Sequence, residues 1–108
     1  MMRIEAIVRR EKKWEVAEAL MRAGIPYTIF DVEGIGGQLG ITEVSGRMFQ
    51  YPFHEKCAFI IVVPEEQVDR VCEVIKKSAY TGRPGDGRIF VSEVKRDIRI
   101  RDGDDSGD

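Results

Sequence analysis

The N-terminal part of the chain first alternates apolar and polar residues and then changes to a helical period. Residues 2 to 9 place Ile4, Ala6 and Val8 on one face, which predicts a β-strand. Residues 12 to 23 follow with apolar positions at helical spacing, and a glycine then ends the pattern. The apolar positions of this helix are Trp14, Ala17, Leu20 and Met21. We therefore expect a strand followed by an amphipathic helix.

The remainder of the chain predicts three further strands and a second helix. Residues 27 to 35 are rich in aromatic and β-branched side chains, and residues 57 to 63 form a continuous apolar run, so each predicts a strand. A helix is expected to begin at Pro64. Its buried stripe consists of Val68, Val71, Cys72 and Ile75. Residues 88 to 94 alternate into a fourth strand, and residues 97 to 101 predict a short extended segment.

The order of these elements is that of an α+β, ferredoxin-like βαββαβ sandwich. In this fold two helices cover one face of a four-stranded antiparallel sheet, so the opposite face needs a cover that subunit association would supply. Residues 37 to 55, between the second and third strands, contain three glycines and one proline and keep no sustained period. Such a stretch predicts a long loop, and long loops are usually functional.

Length and composition limit the kinds of protein that the chain can be. Its 108 residues suit one domain, and 43% hydrophobic with 33% charged residues is ordinary for a globular protein. The longest apolar run, residues 57 to 63, is far short of a transmembrane helix, and no targeting signal is visible. Cys57 and Cys72 lie in apolar stretches without metal-ligand spacing. We expect reduced thiols and a cytoplasmic protein.

Charge is distributed unevenly along the chain. The formal net charge is −2, but residues 102 to 108 are an acidic stretch that leaves the rest of the chain mildly basic. We expect one domain over residues 1–101, followed by a flexible acidic tail over residues 102–108. Nucleic acid is not indicated as a partner. His54 is the only histidine and has no cysteine or acidic partner at ligand spacing, so a transition-metal site is not expected.

The most specific segment runs from Thr81 to Val91 and reads TGRPGDGRIFV. Closely spaced glycines let backbone N–H groups approach an anion, and Arg88 adds positive charge, so the segment has the chemistry to cradle phosphates. It is not a P-loop, because GxxxxGK[ST] is absent and the segment leads into a strand. On spacing alone, a plain glycine turn before a strand is the alternative.

This segment resembles the C-terminal signature of the nitrogen-regulatory PII family, a Thr-Gly pair followed by Gly-Asp-Gly, a basic residue and Ile-Phe-Val. The resemblance extends over nearly the whole chain, from the opening strand to Ile98-Arg99-Ile100-Arg101. It implies a homotrimer that binds ATP or ADP in the clefts between subunits, with 2-oxoglutarate bound alongside Mg²⁺-ATP. Proteins of this family are signal transducers, so no enzymatic activity is expected.

The resemblance assigns ligand contacts to individual positions. Gly85, Asp86, Gly87 and Arg88 would surround the nucleotide phosphates, and Arg99 and Arg101 would reach them from the neighbouring subunit, where an arginine fork suits phosphate oxygens. The adenine would face Thr28 and Val62. The remaining nucleotide contacts are Gly36, Gly37 and Gln38. Without the resemblance, Arg99 and Arg101 would be exposed residues of an edge strand and Thr28 an ordinary strand residue.

The resemblance also implies an effector site. Gln38 would offer its side-chain oxygen to Mg²⁺, and Lys56 would pair with a carboxylate of 2-oxoglutarate. Alternatively, Gln38 is a polar loop residue and Lys56 a charge at a strand entrance.

The long loop departs from the pattern that many family members share. Residues 44 to 51 lack the tyrosine-containing motif that is nucleotidylated in some bacteria. Gly37 replaces a common arginine and Ile60 a frequent glutamate. Arg47, Phe49 and Tyr51 are the residues of the loop that we expect to meet a target protein, such as an ammonium transporter or a nitrogen-metabolism enzyme or regulator. Contact with a membrane is expected only through a transporter.

Three alternative functions remain open from the sequence. A PII-like protein would keep the trimeric scaffold and bind another nucleotide or bicarbonate. A protein of the divalent-cation-tolerance type would share the architecture without the glycine-rich nucleotide loop. An acylphosphatase-like hydrolase would share the fold, although no catalytic constellation supports an enzyme.

Overall fold

The described part of the chain forms six strands and two helices. The computed structural model describes residues 1–34, 40–44, 47–51 and 54–105, with the backbone alone described for 40–44 and 47–51. The strands are β1 (Met2–Arg9), β2 (Thr28–Gly34), β3 (Gly40–Val44), β4 (Arg47–Tyr51), β5 (His54–Val63) and β6 (Gly87–Glu93). The helices are α1 (Lys13–Arg22) and α2 (Val68–Ala79), and a single 3₁₀ turn precedes each.

Four of the strands form the main sheet in the order β2-β5-β1-β6, with every neighbouring pair antiparallel. The central pair runs in register from Met2 opposite Val63 to Arg9 opposite Lys56. Because α1 follows β1 and α2 follows β5, this order confirms the predicted α+β ferredoxin-like fold. Strands β1 and β5 are neighbours at the centre of the sheet, so the end of β1 at Arg9 lies beside Lys56 near the start of β5.

The hydrophobic core lies between the sheet and the two helices. The predicted inward face of β1, formed by Ile4, Ala6 and Val8, is buried as expected. Phe59 of β5 is fully buried and contacts the ring of Tyr27 edge to face, with 5.4 Å between ring centroids. Cys57 is buried, and both cysteines are free thiols. Burial raises the pKa of each, which favours the protonated thiol.

The predicted apolar stripe of α1 was wrong at two positions. Val16, Ala17 and Leu20 are buried, whereas Trp14 is 75% exposed and Met21 is 68% exposed. At about 100° per residue, Trp14 and Met21 lie roughly 100–120° around the helix from Leu20, outside the face that meets the sheet. The end of α1 was predicted correctly, since Gly24 has a φ of 71° and its N–H donates to the carbonyl of Met21.

The predicted long loop contains regular structure. Strands β3 and β4 pair antiparallel from Gly40 opposite Tyr51 to Val44 opposite Arg47, and β5 begins at His54. Two of the 108 residues, Ser45 and Gly46, separate the two strands in the sequence, and a Ser-Gly pair is a known turn signal. The loop therefore contains a β-hairpin. The sequence did not predict it, because apolar and polar residues do not alternate regularly in this stretch.

Among the described residues, no element covers the sheet face opposite the helices. Its exposed apolar side chains include Phe30 of β2, Val62 of β5 and Phe90 of β6, the last 49% exposed. The predicted extended segment at residues 97 to 101 ends earlier than expected, because a turn begins at Ile100, and residues 97 to 99 pair with no strand of the described chain.

Candidate functional site

The glycine-rich loop between α2 and β6 is held together by one carboxylate. Asp86 accepts hydrogen bonds from the backbone N–H of Thr81 at 2.8 Å, from the N–H of Gly82 at 2.9 Å and from the hydroxyl of Thr81. The hydroxyl oxygen of Thr81 in turn accepts a bond from the N–H of Arg83 at 3.1 Å. The carboxylate therefore closes the turn from within, as Asp side chains do in tight loops.

The glycines of this loop have conformations that other residues rarely adopt. Gly85 has a φ of 95° and Gly87 a φ of 114°. At Gly87 the backbone also passes so close to Ile7 that a side chain has no space. The path of the chain thus requires glycine at positions 85 and 87.

Two basic residues from the sheet fasten the loop. Arg9, at the end of β1, donates from Nε to Asp86 at 3.0 Å and from its terminal nitrogen to the carbonyl of Pro84. Lys56 of β5 donates from Nζ to the carbonyl of Gly85 at 2.6 Å. Because Arg9 and Lys56 are opposite each other in the β1–β5 register, the sheet presents both cations to the same loop.

These contacts change the protonation of two groups. The hydrogen bonds from Thr81, followed by those from Arg9 and Gly82, hold the pKa of Asp86 well below its usual range. Burial is the main cause that lowers the pKa of Lys56, and the positive charge of Arg9 lowers it further. Asp86 is therefore a permanent anion near neutral pH, whereas the proton of Lys56 is held less tightly than that of an exposed lysine.

A cleft of about 270 Å³ opens beside the loop. Its lining residues are Arg9, Arg10, Glu11, His54, Glu55, Lys56 and Arg83. Arg83 donates to Glu11 at 2.7 Å, so part of the cleft wall is an ion pair between the loop and the turn before α1. Arg9, Arg10 and Arg83 are each within ion-pair distance of a carboxylate, whereas Lys56 bonds to a neutral carbonyl. Lys56 therefore offers a charge that an anionic ligand can pair with.

Arg9 and Arg10 are residues of this site that the sequence analysis did not identify. Arg10 donates to the carbonyl of Val32 at 2.9 Å and to the carbonyl of Lys56 at 3.2 Å, so it bridges β2 and β5 where the long loop leaves the sheet. The available signal was two consecutive arginines at the end of an alternating strand. Nothing local distinguishes such a pair from ordinary surface charge.

The predicted adenine-facing residues lie on the uncovered face of the sheet. Thr28 is exposed on β2 and is opposite Ile60 of β5, and Val62 is two residues further along β5 on the same face. Arg88 begins β6 on this face, opposite Ile7. Within the described part of the chain, the guanidinium of Arg88 has no hydrogen-bond or ion-pair partner, which leaves its donors available.

The other predicted residues divide into two groups. Arg99 and Arg101 are exposed on the C-terminal segment, where their ion pairs among the described residues are with Asp102 and Asp104. Predicted residues outside the described structure are Gly36, Gly37 and Gln38, together with the side chains of Arg47, Phe49 and Tyr51. The single chain thus joins Lys56 to the glycine loop and leaves Arg99 and Arg101 apart from it.

Comparison with known proteins identifies the family. The family model described as "Nitrogen regulatory protein P-II" matches residues 1–104. The chain belongs to this family. It is 44% identical over 110 residues to Nitrogen regulatory protein P-II of Pasteurella multocida, covering 100% of this chain and 98% of the relative. It is 48% identical over 106 residues to Nitrogen regulatory protein P-II 2 of Methanothermobacter thermautotrophicus, covering 96% and 92%.

A third PII relative, Nitrogen regulatory protein P-II 1 of Escherichia coli K12, is 42% identical over 107 residues, covering 97% of this chain and 96% of the relative. The resemblance predicted from the glycine-rich segment is confirmed. PII proteins are signal transducers rather than enzymes. Over residues 1–34, 40–44, 47–51 and 54–105, neither helix combines the length and apolar character needed to cross a membrane.

Proposed function

We propose that this PII protein senses adenine nucleotides and 2-oxoglutarate and regulates nitrogen metabolism by binding target proteins. The observation that carries the proposal is the 2.6 Å bond from Lys56 Nζ to the carbonyl of Gly85. It joins the cation that the family pattern assigns to 2-oxoglutarate to the loop that the same pattern assigns to nucleotide phosphates. A ligand at either residue would therefore alter the surroundings of the other.

The charge of the cleft supports a dicarboxylate ligand. A carboxylate that pairs with Lys56 replaces the neutral carbonyl of Gly85 by an anion, and charge-assisted hydrogen bonds are the stronger kind. Arg9 lies beside Lys56 in the register and holds the loop by its hydrogen bond to Asp86. The loop would thus stay closed while Lys56 changes partner.

Mg²⁺ would be held by groups that remain available to it. Asp86 is occupied by donors from Thr81, Gly82 and Arg9, so its carboxylate is committed to the loop. The side-chain oxygen of Gln38 is the protein group that the family pattern assigns to the cation, and an amide oxygen suits this hard ion. Bound there with ATP, Mg²⁺ would neutralise phosphate charge.

We infer that the protein acts as a homotrimer. The uncovered sheet face carries Phe30, Val62 and Phe90, and packing three such faces together would remove them from water. Each subunit would then supply Arg99 and Arg101 to a neighbour's nucleotide. The protein would work in the cytoplasm. Through Arg47, Phe49 and Tyr51 it would bind an ammonium transporter or a nitrogen-metabolism enzyme or regulator.

Calorimetric titration with ATP, ADP and 2-oxoglutarate, with and without Mg²⁺, tests the proposal. We expect 2-oxoglutarate to bind only together with Mg²⁺ and ATP. Lys56→Gln should weaken 2-oxoglutarate binding by about tenfold or more, because a charged partner is lost, while ATP alone binds within about threefold of wild type. Lys77→Gln is the control, since it removes an exposed charge of α2 outside the cleft.

The second candidate is a PII-like protein with another ligand. Ile60 lies between Thr28 and Glu5 in the register, at a position where the family often has glutamate. A nucleotide base bound on this face would therefore meet an apolar side chain in place of a carboxylate. Binding of another nucleotide or of bicarbonate, with no response to ATP, ADP or 2-oxoglutarate, would establish this candidate. The same titrations distinguish the two.

A further inference from the structure

The C-terminal segment folds back on itself beyond the last strand. The N–H of Gly103 donates to the carbonyl of Arg99 at 2.7 Å, and the N–H of Arg99 donates to the carbonyl of Asp104 at 2.8 Å. Gly103 has a φ of 71°, and the N–H of Asp104 donates to the side chain of Asp102 at 3.0 Å. Residues 99 to 104 therefore form a closed turn, which places acidic side chains beside the arginines that precede them.

Each arginine of this segment is matched with a carboxylate. Arg96 donates from two guanidinium nitrogens to one oxygen of Asp105, at 3.1 and 2.6 Å. Arg99 donates to Asp102 at 3.0 Å and lies 3.6 Å from Asp104. Arg101 lies 3.9 Å from Asp102.

These ion pairs use the donors that a phosphate would need. Carboxylate and phosphate oxygens accept the same N–H groups of a guanidinium, so the two anions compete for Arg99 and Arg101. The pairs are solvent-exposed, and exposed ion pairs are individually weak. The pairs are formed in the single chain and, because they are weak, a polyphosphate can displace them.

We propose that Asp102 and Asp104 are an internal counter-anion that occupies the phosphate-binding arginines Arg99 and Arg101 and is displaced by nucleotide. The inference rests on the proposed function, because it regulates the nucleotide site to which Arg99 and Arg101 belong. The aspartates belong to the same segment as Arg99 and Arg101. They would therefore accompany these arginines to the nucleotide site and compete there with the phosphates. The affinity for nucleotide is thereby set below the value that the arginines alone would give.

The competition favours ligands of higher charge. A triphosphate offers more negative oxygens than a diphosphate and displaces the aspartates more readily, whereas adenosine has no group that competes for the arginines. Neutralising the aspartates should therefore improve binding most for the nucleotides that use Arg99 and Arg101. Because the ion pairs are exposed, the effect should be largest at low ionic strength.

The test is a comparison of dissociation constants at low salt for ATP, ADP and adenosine. The variant Asp102→Asn/Asp104→Asn keeps the side-chain size and removes the two negative charges that pair with Arg99 and Arg101. The control variant Glu18→Gln/Glu73→Gln also removes two negative charges, each from an exposed ion pair on a helix. Circular dichroism melts verify that both variants fold.

We expect the tail variant to bind ATP about threefold to tenfold more tightly, to bind ADP with a smaller gain and to leave any adenosine binding unchanged. The control should stay within about twofold of wild type. If wild type and tail variant bind ATP equally, or the tail variant binds it more weakly, the inference is overturned and the proposed function stands. If neither binds any adenine nucleotide, the proposed function fails and the inference falls with it.

Discussion

Gly87 and Ile7 are in such close backbone contact that a Cβ atom at position 87 would lie 1.8 Å from the carbonyl oxygen of Ile7. The contact lies where β6 begins and pairs with β1, directly after the loop that Asp86 closes. Neither backbone can retreat, because Ile7 and Gly87 both belong to the four-stranded sheet. The glycine therefore fixes the position of the loop relative to Arg9 at the end of β1.

Replacing Gly87 by alanine should destabilise the protein strongly. The substitution adds a backbone clash to the strain of a φ of 114°, so we expect a loss of about 3 kcal/mol or more in the free energy of unfolding. Gly24→Ala is the matched control, since φ is 71° there but no atom lies within 4 Å of the added Cβ. It should cost about 1 kcal/mol. Equal losses in urea unfolding would contradict the role of the contact.

The stability of the protein should depend on Asp86 at acid pH. Because its pKa is lowered in the folded state, its carboxylate stabilises the fold above the unfolded value of about 4 and loses this effect as the pH falls below it. Asp86→Asn should lower the unfolding temperature at pH 7 and make it less dependent on pH below pH 4. Thr81→Val removes one donor and should reproduce part of the effect. An unchanged pH profile in Asp86→Asn would refute the assignment.

The core should respond to truncation of Phe59. This side chain is fully buried and contacts Tyr27, so Phe59→Ala removes an aromatic contact and leaves a cavity. We expect a loss of about 3–5 kcal/mol in the free energy of unfolding. Trp14→Ala truncates another large side chain that is 75% exposed, and should change stability by only about 0.5 kcal/mol. Chemical denaturation monitored by circular dichroism gives both values.

Subunit association should depend on the uncovered sheet face. Phe90→Asp puts a charge on this face opposite Glu5, and we expect at least a tenfold weaker association in sedimentation velocity. Met21→Asp is the control, because Met21 is 68% exposed on α1, on the other side of the sheet. If Phe90→Asp assembles like wild type, the proposed use of this face is wrong.

The sequence predicted elements whose signals are local. Alternation identified Ile4, Ala6 and Val8 as the buried face of β1, and all three are buried. Helical spacing predicted α1 but not which of its apolar side chains are buried, because burial also requires that the sheet meets that side of the helix. The sequence analysis also missed the hairpin of β3 and β4. Neither strand has a consistently apolar face, so neither shows an alternating pattern in the sequence.

The sequence alone identified the family through the segment TGRPGDGRIFV, and its glycines permit the positive φ values that Gly85 and Gly87 adopt. The cleft was decided only by the tertiary structure. Arg9 and Asp86 are 77 residues apart in the chain, and only the pairing of β1 with β5 and β6 brings them and Lys56 together. The turn at Ile100 to Asp102 was missed although Asp102-Gly103 is a local turn signal, and only the structure shows that the turn places Asp102 beside Arg99.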